Sequence, residues 1–417
     1  MGGQARGKKK NKQRKKENRP HKDPGIMGLT PQERMKLRMH EKAKRKTAEK
    51  YSVEQLLEKT EECMYRFDFE MAGLYCQRAL DIDSTNLHAL DMLGQICSEL
   101  GDTQKAKEVF LRAIELSPET GHGKYMSLGQ IHTAQEAVDY YTRGIQVLLS
   151  DLDKQAQNAQ PQAAALSEEE PEQLTKKDVC VAYCSIAEIY LTDLCMEEGA
   201  ADSCHGFIKK ALQYHPDNPE ALQLMASYML STEKNQEAKE YLLRSVGSWL
   251  PAQKQAAAPS SENVTQIEIP PYESRITASK LLIEAEEYEM AVDVLEGLLE
   301  EDDEVVQVWY LSGWVCYLQL ERAKEQQEHE GSGAPAEEED ERKELNEAAR
   351  FHLTKAKKLH GKLRCDDQPV LTHVEQLLRE LGGEMEGEDD EPNVEDHFEP
   401  CSDDDDDDGE HNVPMEH

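Results

Sequence analysis

The chain has 417 residues and a formal net charge of −36, but the charge is unevenly distributed. Residues 1–50 carry 18 of the 48 lysines and arginines and only 5 of the 84 acidic residues, so the rest of the chain is strongly acidic. The chain contains no run of eighteen apolar residues and begins with a charged segment, so we expect neither a transmembrane helix nor a secretory signal peptide.

Residues 1–50 form a basic head. The segment GKKKNKQRKKENR, Gly7–Arg19, predicts a nuclear localisation signal that an import receptor would bind. Its predicted signal residues are Lys8, Lys9, Lys10, Lys12, Arg14, Lys15 and Lys16. Non-specific RNA contact and a simply solvated segment are the alternatives. The capping-box pattern Thr30–Glu33 predicts a charged helix that ends near Lys50, in a head that is otherwise disordered.

A repeat begins after the head and is clearest between Leu87 and Pro118. That segment, LHALDMLGQICSELGDTQKAKEVFLRAIELSP, predicts two short amphipathic helices broken at Gly101, where glycine can adopt a left-handed conformation. In a 34-residue frame, its small and large apolar residues match the tetratricopeptide pattern. The matching residues are Leu90, Leu93, Gly94, Cys97, Ala106, Phe110 and Ala113. The preceding unit fits the same frame with Leu56, Cys63, Ala72, Cys76 and Ala79.

Five less regular units follow, which open near His122, Cys180, Pro219, Tyr272 and Trp309. Because each unit can bury its apolar face only by stacking, we predict an all-α superhelical solenoid of tetratricopeptide repeats over residues 51–382, with a concave groove. An unrelated helical bundle is the alternative. Segments with helix breakers or without an apolar face predict long loops near 152–175, 251–271 and 325–345.

The chain ends in a helix and an acidic tail. The segment VLTHVEQLLREL, Val370–Leu381, predicts an amphipathic helix that caps the last repeat. Between Glu384 and His417 there are 17 acidic residues and no lysine or arginine. Such a composition cannot form a core, so we predict that residues 383–417 are disordered.

No residue pattern indicates catalysis or a cofactor. We find no phosphate-binding loop, nucleophile elbow or metal-spaced histidine pair, and carboxylate pairs are expected by chance among 84 acids. Cysteines 180, 184, 195 and 204 lack the paired spacing of zinc sites, which favours core positions. We expect the ten cysteines to be free thiols in a reducing compartment and the protein not to be an enzyme.

The first helix of each repeat predicts the lining of the groove. The predicted groove residues are Glu54, Leu57, Glu61, Asp91, Gln95, Glu99, Glu188, Tyr310, Trp314 and Tyr317. The three aromatic residues either line the groove or pack against the capping helix, and both interpretations stay open. The groove lacks the basic clamp with which some co-chaperones hold an acidic peptide. Its acidic residues favour a basic, extended ligand instead.

The basic start GKKKNKQRKK, the solenoid opening at YSVEQLLEKTEECMYRFDFEMAGLYCQRALDID and the acidic tail together resemble a known family. They resemble the dedicated assembly chaperones of large-subunit ribosomal protein number four, over roughly residues 50–380. The resemblance implies binding of a newly made basic ribosomal protein, cover for its RNA-binding loop or extension, and escort from cytoplasm to nucleus.

A general tetratricopeptide scaffold or adaptor in a nuclear complex, or a histone escort, is the alternative function. In either case we expect a monomer that acts in the cytoplasm and nucleus. We expect it to bind no membrane and to make no sequence-specific contact with nucleic acid.

Overall fold

A computed structural model describes residues 35, 39, 51–158, 174–256, 268–330 and 336–385. Between residues 51 and 385 the described part is built of helices and their connections, without β-strands. The helices are α1 (Val53–Tyr65), α2 (Phe69–Ile82), α3 (Leu87–Glu99), α4 (Thr103–Leu116), α5 (Gly123–Ile131), α6 (Ala134–Asn158), α7 (Lys176–Leu191), α8 (Ala200–Tyr214), α9 (Pro219–Ser231), α10 (Asn235–Ala256), α11 (Tyr272–Glu284), α12 (Tyr288–Glu301), α13 (Val306–Glu330), α14 (Ala336–Leu363) and α15 (Gln368–Leu381).

The helices α1 to α14 alternate as the first and second helices of the seven predicted repeats, and α15 follows as the predicted capping helix. This confirms the all-α class and the tetratricopeptide-repeat solenoid. The chain divides into two compact units, Met1–Ser245 and Val246–His417.

Short polar side chains fix where several helices begin. Ser52 and Gln55 form a capping box at α1, in which each side chain bonds the backbone N–H of the other residue. Asn86 caps α3 and Asp102 caps α4, because each side chain accepts a hydrogen bond from a backbone N–H in the first turn. Gly101 ends the connection from α3 with a φ of +74°, as the sequence predicts.

The core of the first unit follows the 34-residue frame. Ala72, Ala79 and Ala106 are completely buried. A methyl group at Gly94 would overlap the buried ring of Phe110. The small residues therefore let a first helix approach the bulky residue of the following second helix.

The same packing holds the second unit. Ala349 and Ala356 on α14 are buried, and a methyl group at Gly313 on α13 would lie 2.6 Å from Cγ of Leu353. On α15, an apolar face that includes Leu377 packs inward, which confirms its capping role.

All three predicted loops are shorter than the sequence indicates. Helix α6 continues into the first of them as far as Asn158, and α10 continues into the second as far as Ala256. The third is shortened from both sides, because α13 continues to Glu330 and α14 begins at Ala336. These extensions are rich in good helix formers, which sustain a helix without an apolar face. Pro251 lies inside α10, where the neighbouring Trp249 and Ala252 are buried. Tertiary packing here overrides the effect of a helix breaker.

The two ends of the chain are only partly described. The predicted localisation residues between Lys8 and Lys16 and the capping box Thr30–Glu33 lie outside the described residues. Met35 and Met39 are helical and exposed. The predicted disordered tail begins too early, because Gly383–Met385 lies against α14. No helix in the described part of the chain is long and apolar enough to cross a membrane.

Candidate ligand-binding groove

The first helices of the first unit form a continuous surface. Glu61 on α1 approaches His88 on α3, with 3.2 Å between Oε1 and Nε2. Asp91 on α3 interacts electrostatically with Lys124 on α5. Residues of α5, α7 and α9 line one open pocket. We call the surface to which these five first helices contribute the acidic groove, and its role in binding stays a prediction.

An open pocket of about 670 Å³ lies in the acidic groove. Its lining includes Gln130, Tyr141, Ser185, Glu188, Leu224 and Ser227. Tyr141 comes from α6 and packs over Gly129, where a methyl group would lie 2.6 Å from its Cε2. The lining mixes apolar side chains with polar ones, which also include His132 and Thr192, and Glu188 is its one carboxylate. This mixture suits an arginine or lysine side chain, which pairs an apolar stem with a cationic end.

The carboxylate of Glu188 is electrostatically unsatisfied. Although Glu188 is exposed at the pocket mouth, the pocket walls remove part of its hydration and raise its pKa, and the nearby charge of Glu220 raises it further. Burial also raises the pKa of Glu220, against an opposing effect of Lys177. Glu188 forms no ion pair with the described residues, so a bound cation would stabilise its charge.

Most of the predicted groove residues of α1 and α3 are accessible to solvent. Glu54, Glu61, Gln95 and Glu99 are exposed. Asp91 is half-buried, and its Oδ1 has no hydrogen-bond partner among the described residues. Burial raises the pKa of Asp91, whereas the charges of Lys124 and His88 oppose that shift. Their role in binding stays a prediction.

Leu57 is wrongly placed in the groove by the sequence. Its side chain is only 8% exposed and belongs to the core cluster with Leu56 and Ala72. The frame assigns this position to the groove in a regular repeat. In this first repeat an apolar side chain turns to the core, because burial removes its surface from water.

The aromatic stripe of the second unit packs against the capping helix. Tyr310 and Trp314 stack with their ring centroids 5.9 Å apart, and the Tyr310 hydroxyl lies 2.8 Å from Nδ1 of His373 on α15. Tyr317 donates a hydrogen bond to Glu380 at 2.7 Å, which raises the pKa of Tyr317 to about 12. Of the two open interpretations, the contacts support packing, and we propose no groove role for the stripe.

Sequence reasoning missed Lys124 and the pocket. Lys124 is buried, and its Nζ donates to the carbonyl oxygens of Ser117 and Thr120 at 2.5 and 2.6 Å. A lone lysine carries no signal of burial in a sequence. The pocket depends on the relative placement of four helices, which the repeat pattern does not specify.

Known proteins share this architecture. The tetratricopeptide repeat family matches residues 87–120. A protein of Schizosaccharomyces pombe, described as a probable assembly chaperone of rpl4, is 34% identical over 300 residues, which cover 71% of this chain and 80% of that protein. The chain therefore belongs to the family of this probable assembly chaperone of rpl4.

Two further proteins support membership of the family. A probable assembly chaperone of rpl4 from Emericella nidulans is 28% identical over 341 residues, covering 77% of this chain and 79% of that protein. A solved structure of the assembly chaperone of RpL4, Acl4 (residues 1-338), has a TM-score of 0.56 and 28% identity, and the match covers 66% of this chain and 99% of that one. The resemblance predicted from the sequence is confirmed.

Proposed function

We propose that this member of the family is a monomeric, non-enzymatic chaperone of a newly made large-subunit ribosomal protein. The cargo is of the rpl4 type, which the names of the relatives support. A basic, extended segment of the cargo lies in the acidic groove and stays covered until ribosome assembly.

The pocket around Glu188 is the observation that carries this proposal. It combines a partly desolvated carboxylate, a second carboxylate nearby at Glu220, and space for a side chain. A cargo arginine or lysine in the pocket would pair with Glu188 and lay its stem against Leu224. Along the groove, Glu54, Glu61 and Glu99 would add exposed ion pairs, each worth about 0–1 kcal/mol.

Affinity capture of the full chain from cells tests this function against the scaffold or histone-escort alternative. We expect one large-subunit ribosomal protein of the rpl4 type to dominate the captured proteins by mass spectrometry. Capture should weaken at high salt, because the proposed contacts are largely ionic. A spread of histones or of subunits from a nuclear complex would contradict the proposal.

We propose that the basic head, with its cluster Lys8–Lys16, binds an import receptor and brings the loaded chaperone from the cytoplasm into the nucleus. A fluorescent fusion that lacks residues 1–25 should therefore accumulate in the cytoplasm, whereas the full chain enters the nucleus. Equal nuclear accumulation of the two fusions would contradict a signal in the head. A full-length fusion in which the five lysines of α14 are neutralised serves as a control for a change in overall charge, and it should still enter the nucleus.

Glu188→Gln should have opposite effects on stability and on binding. Since the folded protein raises the pKa of Glu188, the native state holds its proton more tightly than the unfolded chain, and stability falls as pH rises through that pKa. Removing the ionisable group therefore raises the melting temperature at pH 7.5. The difference disappears below the pKa of an unfolded glutamate, about 4.3. The same change weakens binding of the cargo.

Glu240→Gln is the matched control for this prediction, because Glu240 is exposed on the second helix α10. It should change neither the melting temperature at pH 7.5 nor the affinity for the cargo. If Glu188→Gln binds the cargo as tightly as the natural chain, Glu188 is not part of the binding site.

A further inference from the structure

Two aromatic side chains are exposed to solvent where α1 ends and α2 begins. Tyr65, the last residue of α1, is 87% exposed, and Phe67, in the turn that follows, is 81% exposed. Phe67 meets Phe69 edge-on, with the ring centroids 6.2 Å apart, yet most of its surface stays in solvent. Phenylalanine is most often buried and tyrosine at least partly so. We call the side chains of Tyr65 and Phe67 the exposed rings.

Phe67 also has an unfavourable backbone conformation. Its φ is +59°, in the left-handed region that residues with a side chain rarely adopt. In the 34-residue frame the same position is Gly101 in the next repeat, with a φ of +74°, and the exposed Glu233 and Glu286 in two later repeats. Glycine suits this turn by its conformation and glutamate suits it by its polarity, whereas phenylalanine has neither advantage. A strained residue that adds little to the core points to a role in binding.

The exposed rings lie among carboxylates. Residues 58–70 contain five acidic residues and two basic ones. Glu61 and Tyr65 are four residues apart on α1, so they project from the same face of that helix. Asp68, which directly follows Phe67, is exposed. The surface at the end of α1 therefore offers aromatic rings and negative charge together.

We propose that the exposed rings bind arginine side chains of the basic segment that, under the proposed function, lies in the acidic groove. A guanidinium group is planar, so it can stack on a ring and pair with a carboxylate at its edge. Tyr65 lies about one helical turn beyond Glu61, so an arginine at Tyr65 continues the contacts of the acidic groove along α1. The inference rests on the proposed function and adds to it a preference for arginine over lysine.

The surrounding charge decides between this ligand and the others that exposed rings could take. Bases of single-stranded RNA also stack on aromatic side chains, but their phosphates would be repelled by the excess of carboxylates. A purely apolar segment would gain nothing from those carboxylates. Arginine uses both features, because it combines a flat group that stacks with a positive charge.

Replacing both rings tests this inference. The double change Tyr65→Ser and Phe67→Gly removes the rings without altering the net charge, and glycine suits the left-handed turn. The variant should therefore stay folded, which a thermal melt checks. It should bind the purified rpl4-type ribosomal protein about tenfold more weakly, because two exposed cation–π contacts are lost. Isothermal titration calorimetry at physiological salt measures this affinity.

Two synthetic peptides separate arginine from positive charge in general. One peptide alternates arginine with glycine, and the other has the same length with lysine in place of arginine. The natural chain should bind the arginine peptide about fivefold more tightly than the lysine peptide, because a guanidinium group stacks better and is less strongly hydrated. The double variant should bind the two peptides equally.

Two controls keep the result specific. The double change Tyr65→Phe and Phe67→Tyr keeps both rings, so it should bind the ribosomal protein and both peptides as the natural chain does. Leu111→Ser removes an exposed apolar side chain from the second helix α4. This change should leave all three affinities unaltered.

Several results would overturn the inference. If the natural chain binds the ribosomal protein and the double variant binds it equally well, only the inference fails, whereas a natural chain that does not bind that protein contradicts the proposed function as well. Equal affinity of the natural chain for the two peptides would exclude a preference for arginine.

Other occupants of the exposed rings would give different results, each of which would also overturn the inference. Tighter binding of the ribosomal protein by the double variant would assign the rings to the basic head of this chain. A dimer of the natural chain that the double variant does not form would assign them to a second copy. Binding of single-stranded RNA that the double variant loses would assign them to RNA.

Discussion

Replacing Phe110 by alanine should lower the free energy of unfolding of the first unit by about 3–5 kcal/mol. The ring is only 1% exposed and belongs to the core cluster that α1 to α4 share. Its removal leaves a cavity between α3 and α4, and the rigid helix pair cannot close that cavity fully. Chemical denaturation followed by circular dichroism measures the loss.

Gly94→Ala should be destabilising for the opposite reason. The added methyl group overlaps the Phe110 ring, and overpacking of this kind costs about 1–3 kcal/mol. In the double variant, which combines Gly94→Ala with Phe110→Ala, the added methyl group occupies part of the space that the removed ring leaves. The cost of the double variant should therefore be smaller than the sum of the two single costs.

Gly73→Ala is the matched control, since Gly73 is also a glycine within a helix of the first unit. A methyl group there would lie 3.5 Å from Cγ2 of Ile96, an ordinary contact. Because alanine favours a helix over glycine, this variant should gain about 0.5–1 kcal/mol of stability. Equal costs for Gly73→Ala and Gly94→Ala would contradict the proposed packing of the repeat.

The repeat frame predicts the core well because its residues act through local spacing. Ala72, Ala106, Gly94 and Phe110 are fixed by which faces two short helices must bury, and the sequence displays that spacing directly. The positions of the helix caps and of the left-handed Gly101 follow from side-chain chemistry within a few residues. Such features need no knowledge of distant contacts.

Features that depend on packing between repeats are not predictable in this way. Leu57 falls at a groove position but is buried, and Tyr310 falls at a groove position but bonds with His373 on the capping helix. The burial of Lys124 requires carbonyl groups at the end of α4 to lie close to it. Each outcome depends on how one helix pair is set against the next.

Helix lengths are also poorly predicted. The sequence predicts loops near 152–175 and 251–271, whereas α6 and α10 continue into these segments, to Asn158 and Ala256. Glutamine and lysine are good helix formers, so a polar segment without an apolar face can still be helical. The context at the end of each repeat therefore decides where the helix stops.

Reversing four acidic residues of the acidic groove should weaken cargo binding on the order of a hundredfold, or about 2.7 kcal/mol. We would change Glu54, Glu61, Glu99 and Glu188 to lysine together. All four are exposed, so the fold should tolerate the change. Single reversals should be mild, but together they remove the ion pairs and place like charges against a basic ligand. Asp91 is left unchanged because its carboxylate lies close to the charge of Lys124.

A second quadruple variant separates location from net charge. Glu70, Glu108, Glu115 and Glu240 are exposed on second helices, and changing them to lysine alters the net charge of the chain by the same amount. A thermal melt confirms that both variants are folded. This control should bind the cargo with little loss, because its lysines lie away from the acidic groove.

The decisive measurement is the affinity of the purified rpl4-type ribosomal protein for the natural chain and for these two folded variants, at one physiological salt concentration. The proposed function predicts a large loss of affinity in the groove variant and a small change in the control. Equal affinities in the two variants, or a larger loss in the control, would place the cargo outside the acidic groove.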